Sequence, residues 1–291
     1  MSEKCRLPVT CDMCEKMESC ALDKTEHNRW RVGDRMAKIK HKVLVGSNKG
    51  GVGKSTVTTN LALALARLGY KVGLADADIH GPNIPKMLGI EGVRLRGVDD
   101  GIGPHITDSG VRVASLGFLI EDPDMPIIWR DAVKYDFIIE LLGNISWGEL
   151  DFFLVDLPPG TGNEQITIIE FMGKVEAAVV VTTPQEVALL DARKMIHFAR
   201  ESNIKNIGVV ENMSSLVCPH CNGEIDVFKK GGGEKVAGEF GLPFLGRVPL
   251  DPNVMSGSDS GKPVVSAAPD SAPAQAFMKI AENLAALISK G

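Results

Sequence analysis

The chain has 291 residues, of which 44% are hydrophobic, so it can bury a large core within one main domain. Its 32 lysine and arginine residues are outnumbered by 37 aspartate and glutamate residues, which gives a net charge of −5 without the basic runs typical of nucleic-acid binding. No apolar signal core opens the chain and no run of about eighteen apolar residues follows, which argues against a secreted or membrane-spanning protein and predicts a cytoplasmic one.

The first segment, residues 1–33, has no hydrophobic period but is rich in cysteine. We predict a separate extension there, followed by a main domain at 34–291. In a reducing compartment cysteines serve more often as metal ligands or reactive thiols than in disulfides. We therefore expect zinc or a 4Fe–4S cluster to order this segment, and a tail with incidental cysteines is the alternative. The candidate ligands are Cys5, Cys11, Cys14 and Cys20.

Beyond this extension, short apolar runs alternate with helical periods. The predicted strands are 43–45, 71–75, 111–115, 152–155, 177–181, 207–210 and 244–248, and the predicted helices are 54–68, 132–142, 164–171, 190–201 and 274–288. Several strands are apolar at every position, which is typical of strands buried on both faces. These patterns predict an α/β fold with a mainly parallel sheet flanked by helices on both faces, and ligands at the carboxyl ends of the strands. The stretch 256–273, rich in glycine, serine and proline, is predicted to be a surface loop with a short element.

A phosphate-binding loop follows the first predicted strand, with the sequence Lys49-Gly50-Gly51-Val52-Gly53-Lys54-Ser55-Thr56. Glycines allow such a loop to wrap phosphates with backbone N–H groups, and the helix that follows adds its positive end. We expect Lys54 to reach the β- and γ-phosphates and Ser55 to ligate Mg²⁺. A glycine-rich turn that binds nothing is the alternative. Asn48 stands where the strict motif has glycine, and the extra Lys49 is typical of the "deviant Walker A" group.

Two acidic motifs end apolar strands. Asp76 and Asp78 follow the second strand, where carboxylates can hold Mg²⁺ through water or orient an attacking water, although helix-capping aspartates are the alternative. Asp156 ends the strand 152–155 in a Walker B arrangement and is predicted to contact Mg²⁺ indirectly. The loop after it carries two prolines and two glycines, which suits a segment that responds to the γ-phosphate.

A C-x-x-C pair, Cys218 and Cys221, lies in a loop after the strand 207–210. Two thiolates cover one side of a zinc ion or iron–sulfur cluster, which normally needs four ligands. The other two can come from the same loop of a second subunit across a two-fold axis, or from the N-terminal cysteines. A thioredoxin-like redox pair is a second interpretation, although Asn222-Gly223-Glu224 is a poor helix start. Inert structural cysteines are the third.

In this order, the motifs resemble those of the Mrp/Nbp-type (ApbC-like) iron–sulfur cluster carrier ATPases. The resemblance covers residues 38–291. Besides the loop 49–56 and the pair Cys218/Cys221, the matching motifs are Asp76-Ala77-Asp78-Ile79-x-Gly81-Pro82, Asp156-Leu157-Pro158-Pro159-Gly160-Thr161-Gly162, Glu211-Asn212-Met213-Ser214, Gly231-Gly232-Gly233 and Val248-Pro249-Leu250-Asp251. More broadly, the chain is similar to the MinD/ParA and nitrogenase-iron-protein group of P-loop NTPases, whose active form is a nucleotide-sandwich dimer.

The resemblance implies a slow ATPase that carries a labile 4Fe–4S cluster, held jointly by two subunits, and transfers it to apo iron–sulfur proteins. It implies that Lys49 is the signature lysine that reaches the partner's nucleotide, that Asp78 is the hydrolytic carboxylate and that Asn212 contacts adenine. The implied catalytic residues are Lys49, Lys54 and Asp78, and the implied ATP and Mg²⁺ contacts are Gly50, Gly51, Val52, Gly53, Lys54, Ser55, Thr56, Asp156, Asn212, Pro249 and Asp251. The N-terminal cysteines resemble a second cluster site of eukaryotic-type members, although Cys5 lies closer to the neighbouring C-x-x-C than in those relatives, so its role stays open.

Two other functional classes remain. A nucleotide-gated electron-transfer reductase would place isolated cysteines elsewhere, so the adjacent C-x-x-C disfavours it. A MinD/ParA-like spatial organiser needs a membrane helix or a DNA surface. The last predicted helix has Phe277, Ile280 and Leu284 on one face but few basic residues, which favours core packing over membrane anchoring. We expect a homodimer with neither a nucleic-acid nor a membrane partner.

Overall fold

A computed structural model describes residues 14, 18, 20, 24–118, 131–217, 221, 223–225, 227–228 and 230–290, and Cys5, Cys11 and Cys218 lie outside them. The strands are β1 (Ile39–Gly46), β2 (Val72–Asp76), β3 (Gly97–Val98), β4 (Gly101–Ile102), β5 (His105–Ile106), β6 (Arg112–Ser115), β7 (Leu150–Asp156), β8 (Ala177–Thr182), β9 (Asn206–Glu211), β10 (Leu216–Val217), β11 (Glu224–Ile225) and β12 (Phe244–Arg247). The helices are α1 (Lys24–Ala37), α2 (Lys54–Arg67), α3 (Ile84–Leu88), α4 (Asp131–Ile139), α5 (Asn163–Met172), α6 (Glu186–Glu201), α7 (Gly232–Glu239), α8 (Pro252–Asp259), α9 (Val264–Ala267) and α10 (Ala272–Ser289). A 3-10 turn (Leu116–Phe118) directly follows β6, and a π-helical turn (Glu140–Asn144) directly follows α4.

Within this part of the chain, eight strands form one sheet in the order β12-β9-β8-β1-β7-β2-β6-β5. Neighbouring strands are parallel except at one edge, where β5 runs antiparallel to β6. The predicted fold class is therefore confirmed. Strands β1, β7, β8 and β9 extend beyond the predicted apolar runs, because polar residues at strand ends find partners. Lys42 of β1, for example, is buried, and its ammonium donates to the backbone oxygen of Met172.

Two hydrophobic layers cover the two faces of the sheet. Because side chains alternate along a strand, Leu44 of β1 packs in one layer, whereas Val43 and Val45 pack in the other. The first layer holds buried residues of α1, α4, α5, α6 and α7, and the second holds those of α2, α3, α9 and α10. The apolar face of α10 is buried in the second layer, which confirms the core-packing interpretation of the last helix. None of the helices in the described ranges is long and apolar enough to cross a membrane.

Helix α1 was not predicted. Its buried face includes Val32 and Met36 but also His27, Arg31 and Arg35, so no hydrophobic period is visible in the sequence. Both arginines donate to the backbone oxygen of Gly143 in the π-helical turn. The helix runs through position 33, where the sequence analysis placed a boundary, and the division into 1–33 and 34–291 stays a prediction.

The stretch 256–273 contains more regular structure than the predicted surface loop with a short element, so this prediction is wrong. Helices α8 and α9 occupy much of this stretch. Val264 and Val265 of α9 are buried, and the backbone N–H of Val265 donates to the side-chain oxygen of Asn60 in α2 (3.2 Å). The glycine, serine and proline content concealed two helices that are too short to show a hydrophobic period.

Candidate functional site

The carboxyl ends of β1, β7 and β2 meet at one edge of the sheet because these strands are parallel neighbours. Asp156 at the end of β7 lies in register with Val45 of β1 and with Asp76 of β2. The phosphate-binding loop that follows β1 is therefore next to both carboxylates. Such an edge is where open α/β sheets bind ligands.

Within the phosphate-binding loop 49–56, the non-helical part ends at Gly53, whose backbone is left-handed with φ 78°. A Cβ atom there would lie 2.2 Å from the side-chain nitrogen of Asn212, so glycine is required both by conformation and by space. Helix α2 begins at the next residue and presents N–H groups that have no partner within the helix. Asn48, at the position that departs from the strict motif, donates its side-chain N–H to Asp191 of α6 (2.9 Å) and so fastens the loop to that helix.

Four predicted site residues come together beneath this loop. The Lys54 ammonium lies 2.7 Å from Oδ2 of Asp156 and 3.4 Å from Oδ2 of Asp78. The Ser55 hydroxyl donates to the same Oδ2 of Asp156 (2.6 Å). Thr58, which the sequence analysis did not single out, donates its hydroxyl to Oδ1 of Asp156 (2.5 Å). Its signal was its position one helical turn after Lys54, on the same face of α2.

Asp76 has a structural role at this edge. It is completely buried and accepts hydrogen bonds from the Ser115 hydroxyl (2.8 Å) and from the backbone N–H groups of Asp78 and Ile84 (3.2 Å each). The capping alternative thus describes Asp76, which holds the loop that carries Asp78. Burial, together with the negative charge of Asp156, raises the pKa of Asp76 to about 8.

The buried charges of the site do not balance. Among the described residues, the buried carboxylates of Asp78 and Asp156 both contact the same ammonium, that of Lys54. Burial lowers the pKa of Lys54, but the nearby carboxylates of Asp156 and Asp78 outweigh burial and raise it. Burial also raises the pKa of Asp78, against the opposing charge of Lys54. A divalent cation would offset the excess of negative charge, and the oxygen atoms of Ser55 and Asp156 are of the kind that Mg²⁺ prefers.

We expect the stability of the nucleotide-free protein to fall as pH rises. The folded-state pKa of Asp76 lies above its unfolded value, so the stability from its protonated form is fully present below about pH 4 and is lost as pH rises through about 8. The free energy of unfolding should fall by up to about 1.4 kcal/mol per pH unit in this window. Urea unfolding in EDTA at several pH values measures the slope. Asp76→Asn should flatten the slope, whereas Asp34→Asn, an exposed control, should not; equal slopes in all three proteins would contradict the prediction.

Asn212 lies against the phosphate-binding loop, where its side-chain N–H donates to the backbone oxygen of Val52 (2.9 Å). The segment 248–251 runs beside the start of the loop that follows β9. The backbone N–H of Val248 donates to the backbone oxygen of Glu211, and the backbone N–H of Leu250 donates to the backbone oxygen of Ser215. Asp251 caps α8 by accepting from the N–H of Asn253 (2.8 Å). The predicted nucleotide contacts of Asn212, Pro249 and Asp251 stay predictions.

In the sequence, the C-x-x-C pair falls between two short paired strands. Strands β10 and β11 are antiparallel, with Val217 opposite Glu224, so residues 218–223 connect them. Cys221 is exposed, and Cys218 lies outside the described residues. In the N-terminal segment Cys20 is exposed and Cys14 is half-buried, while Cys5 and Cys11 lie outside the described residues. The described part of the chain contains no group of three His, Cys, Asp or Glu side chains placed to hold a metal, so the metal roles of the cysteines stay predictions.

Comparison with known proteins agrees with this geometry. A ParA family model described as NUBPL iron-transfer P-loop NTPase matches residues 38–285. An iron–sulfur cluster carrier protein of Methanocaldococcus jannaschii is 46% identical over 276 residues, which are 94% of each chain. An iron–sulfur cluster carrier protein of Methanococcus maripaludis is 44% identical over an alignment of 292 residues, which covers 100% of each chain.

Solved structures show the same fold. A nucleotide-binding protein from Archaeoglobus fulgidus in complex with ADP aligns with a TM-score of 0.74 and 35% identity, over 86% of this chain and 96% of that one. The cell division ATPase MinD of Pyrococcus furiosus aligns with a TM-score of 0.63 and 27% identity, over 85% of this chain and 99% of that one. Since the family model and the full-length relatives agree, the chain belongs to the NUBPL iron-transfer P-loop NTPase family.

Proposed function

We propose that this protein is an ATP-dependent iron–sulfur cluster carrier. ATP binds at the loop 49–56, and the cargo, a labile 4Fe–4S cluster, is held by Cys218 and Cys221 of two subunits and transferred to apo-proteins. One observation carries the proposal: the loop with Cys218 and Cys221 leaves the carboxyl end of β9, at the same edge of the sheet as the Lys54–Asp156 site. The relatives named iron–sulfur cluster carrier proteins support it.

A homodimer completes the proposed cluster site. Two thiolates per subunit leave a cluster half-coordinated, and a two-fold axis at the hairpin supplies the other two. The exposed apolar side chains of Ile225 and Val227, in and next to β11, support a partner there, because such side chains are more stable when covered. Lys49 is exposed, unlike the buried Lys54, and is therefore available to the nucleotide of a partner.

Each residue of the nucleotide site has a proposed task. Lys54 binds the phosphates, Ser55 would ligate Mg²⁺ and Asp156 would contact the ion indirectly; when bound, Mg²⁺ would offset the charge of the phosphate oxygens. Asp78 orients the attacking water and accepts its proton, a task that suits a carboxylate whose pKa is raised by burial. Asp76 keeps the backbone of Asp78 in place through its hydrogen bond.

Anaerobic reconstitution with iron and sulfide tests the proposed function. The protein for this test is the full chain with Cys5, Cys11, Cys14 and Cys20 changed to serine, because a truncation after residue 33 would cut α1. We expect about four iron and four sulfide per dimer, and restored activity of an apo 4Fe–4S enzyme after mixing. Zinc without iron, or no transfer, would contradict the proposal. A stable cluster that cycles reversibly between redox states without transfer would favour the reductase.

Asp78→Asn should separate binding from hydrolysis. The substitution removes the proposed proton acceptor while keeping its size, so ATP hydrolysis is expected to fall by roughly 100-fold. The affinity for ATP should stay the same or rise, because one negative charge near Lys54 and the phosphates is lost. Steady-state turnover and equilibrium binding of a fluorescent ATP analogue measure the two effects. Full turnover in the variant would assign hydrolysis to another residue.

A further inference from the structure

The carboxylate of Glu211 is completely buried at the carboxyl end of β9, where the loop with the C-x-x-C pair begins. Its Oε1 accepts hydrogen bonds from the Ser214 hydroxyl (2.7 Å) and the backbone N–H of Gly231 (3.1 Å), and its Oε2 accepts one from the N–H of Gly233 (2.7 Å). The Arg247 guanidinium lies 3.9 Å away. A buried carboxylate with three donors and a nearby cation is firmly held.

These three donors come from both ends of one loop. Ser214 lies at its beginning, whereas Gly231 and Gly233 lie at the start of α7, after the hairpin. The first N–H groups of a helix have no partner within it, so a carboxylate at that position caps α7 strongly. A Cβ atom on Gly233 would lie 2.9 Å from the Cβ of Glu211, so only glycine permits this approach. Glu211 therefore closes the base of the loop.

Asn212, the next residue, joins this base to the phosphate-binding loop. Its side chain donates to the backbone oxygen of Val52, one residue before Gly53, and its backbone N–H donates to Thr182 at the end of β8 (2.8 Å). One peptide bond separates Asn212 from Glu211. A shift of Val52 would therefore act directly on the residue beside the closure.

We propose that Glu211 is the positioning residue of the metal loop, defined as residues 214–231. It fixes the base of the loop that carries Cys218 and Cys221, and together with Asn212 it couples that loop to the nucleotide. This inference rests on the proposed function, because it gives the same cysteines a nucleotide-dependent control. Glu211 does not contact the cluster. ATP acts through Asn212 on the hydrogen bonds of Glu211 at the base of the loop, and so changes how firmly the cluster is retained.

Glu211→Gln removes this closure with little change in shape. Glutamine has only one acceptor oxygen, so its N–H₂ group must take the place of one carboxylate oxygen and face a hydrogen-bond donor. At least one end of the loop then loses its hydrogen bond to residue 211. Hydrogen–deuterium exchange of the metal-loop amides is expected to quicken by roughly tenfold. MgATP should change this exchange in the unaltered protein but not in the variant. The measurement needs no cluster.

Release of the reconstituted cluster to a chelator is the second measurement. MgATP should change the release rate of the unaltered protein, whereas Glu211→Gln should release roughly tenfold faster with or without MgATP. Ser214→Ala, which removes one of the three bonds, should give an intermediate rate. Glu234→Gln is the matched control, since Glu234 pairs with the same Arg247 (2.5 Å) from the exposed surface of α7. It should behave like the unaltered protein.

The outcomes separate the two proposals. If Glu211→Gln exchanges and responds to MgATP as the unaltered protein does, the coupling is wrong, whether or not a cluster is carried. If the unaltered protein takes up no cluster but its exchange responds as expected, the carrier function is wrong and the coupling stands. Should Glu211→Gln not fold, Ser214→Ala decides: unchanged exchange in that variant overturns the inference.

Discussion

A protein in which Cys218 and Cys221 are both serine is expected to hold no transferable cluster. Serine hydroxyls are poor ligands for iron, and each subunit contributes only these two thiolates to the proposed shared site. In the background without N-terminal cysteines, bound iron should fall from about four per dimer to nearly none, and reactivation of an apo-enzyme acceptor should disappear. Iron and sulfide analysis after reconstitution gives the first result, and acceptor activity gives the second.

His220→Ala is the control for this experiment, because His220 stands between the two cysteines in the sequence. We expect it to keep the cluster, which would assign coordination to the thiolates alone. Size-exclusion chromatography of the iron-loaded protein tests the shared site. A cluster-bearing monomer, or normal transfer by the double serine variant, would show that the cluster does not bridge two subunits.

The second large effect is expected for Lys54→Ala. Lys54 carries the ammonium that faces Asp156 and Asp78 in a buried site, and its loss leaves bound phosphates without this partner. The dissociation constant for MgATP should rise by roughly 1000-fold, which is the scale of removing one partner from a buried ion pair. Without nucleotide and Mg²⁺, the variant should also be about 3–5 kcal/mol less stable, because the carboxylates lose their cation. Calorimetric titration and urea unfolding measure these changes.

Addition of Mg²⁺ provides an internal check on this explanation. If the stability loss comes from uncompensated carboxylates, Mg²⁺ should restore part of it in Lys54→Ala. Lys49→Ala is the comparison variant, because Lys49 is exposed beside the same loop. It should lose hydrolysis more than it loses binding, since its proposed partner is the nucleotide of the other subunit. Equal losses of both would count against that role.

The arrangement of the candidate nucleotide site could be predicted from sequence because its parts depend on short-range rules. A glycine-rich turn between a buried strand and a helix determines where Lys54 and Ser55 lie. An apolar strand that ends in aspartate brings Asp156 to the same edge, because parallel strands share their carboxyl ends. These relations need no knowledge of distant packing.

The features that sequence did not reveal depend on contacts between distant segments. Helix α1 buries arginines against the π-helical turn, over a hundred positions away, so its hydrophobic period is interrupted. Glu211 was part of a recognised motif, but its partners Gly231 and Gly233 follow the hairpin and are not adjacent in sequence. Asp76 differs from Asp78 only in what surrounds it: burial and the hydroxyl of Ser115 make it a structural residue.

The contact between Lys54 and Asp156 makes this carboxylate an intramolecular competitor of the incoming phosphates. A phosphate oxygen competes with Asp156 for the Lys54 ammonium, so the measured affinity is the intrinsic affinity minus the cost of weakening this ion pair. Free ATP would leave Asp156 as a buried and unpaired charge after this exchange, whereas ATP that arrives with Mg²⁺ brings a replacement cation. The exchange thus lowers the affinity for free ATP and favours the magnesium complex.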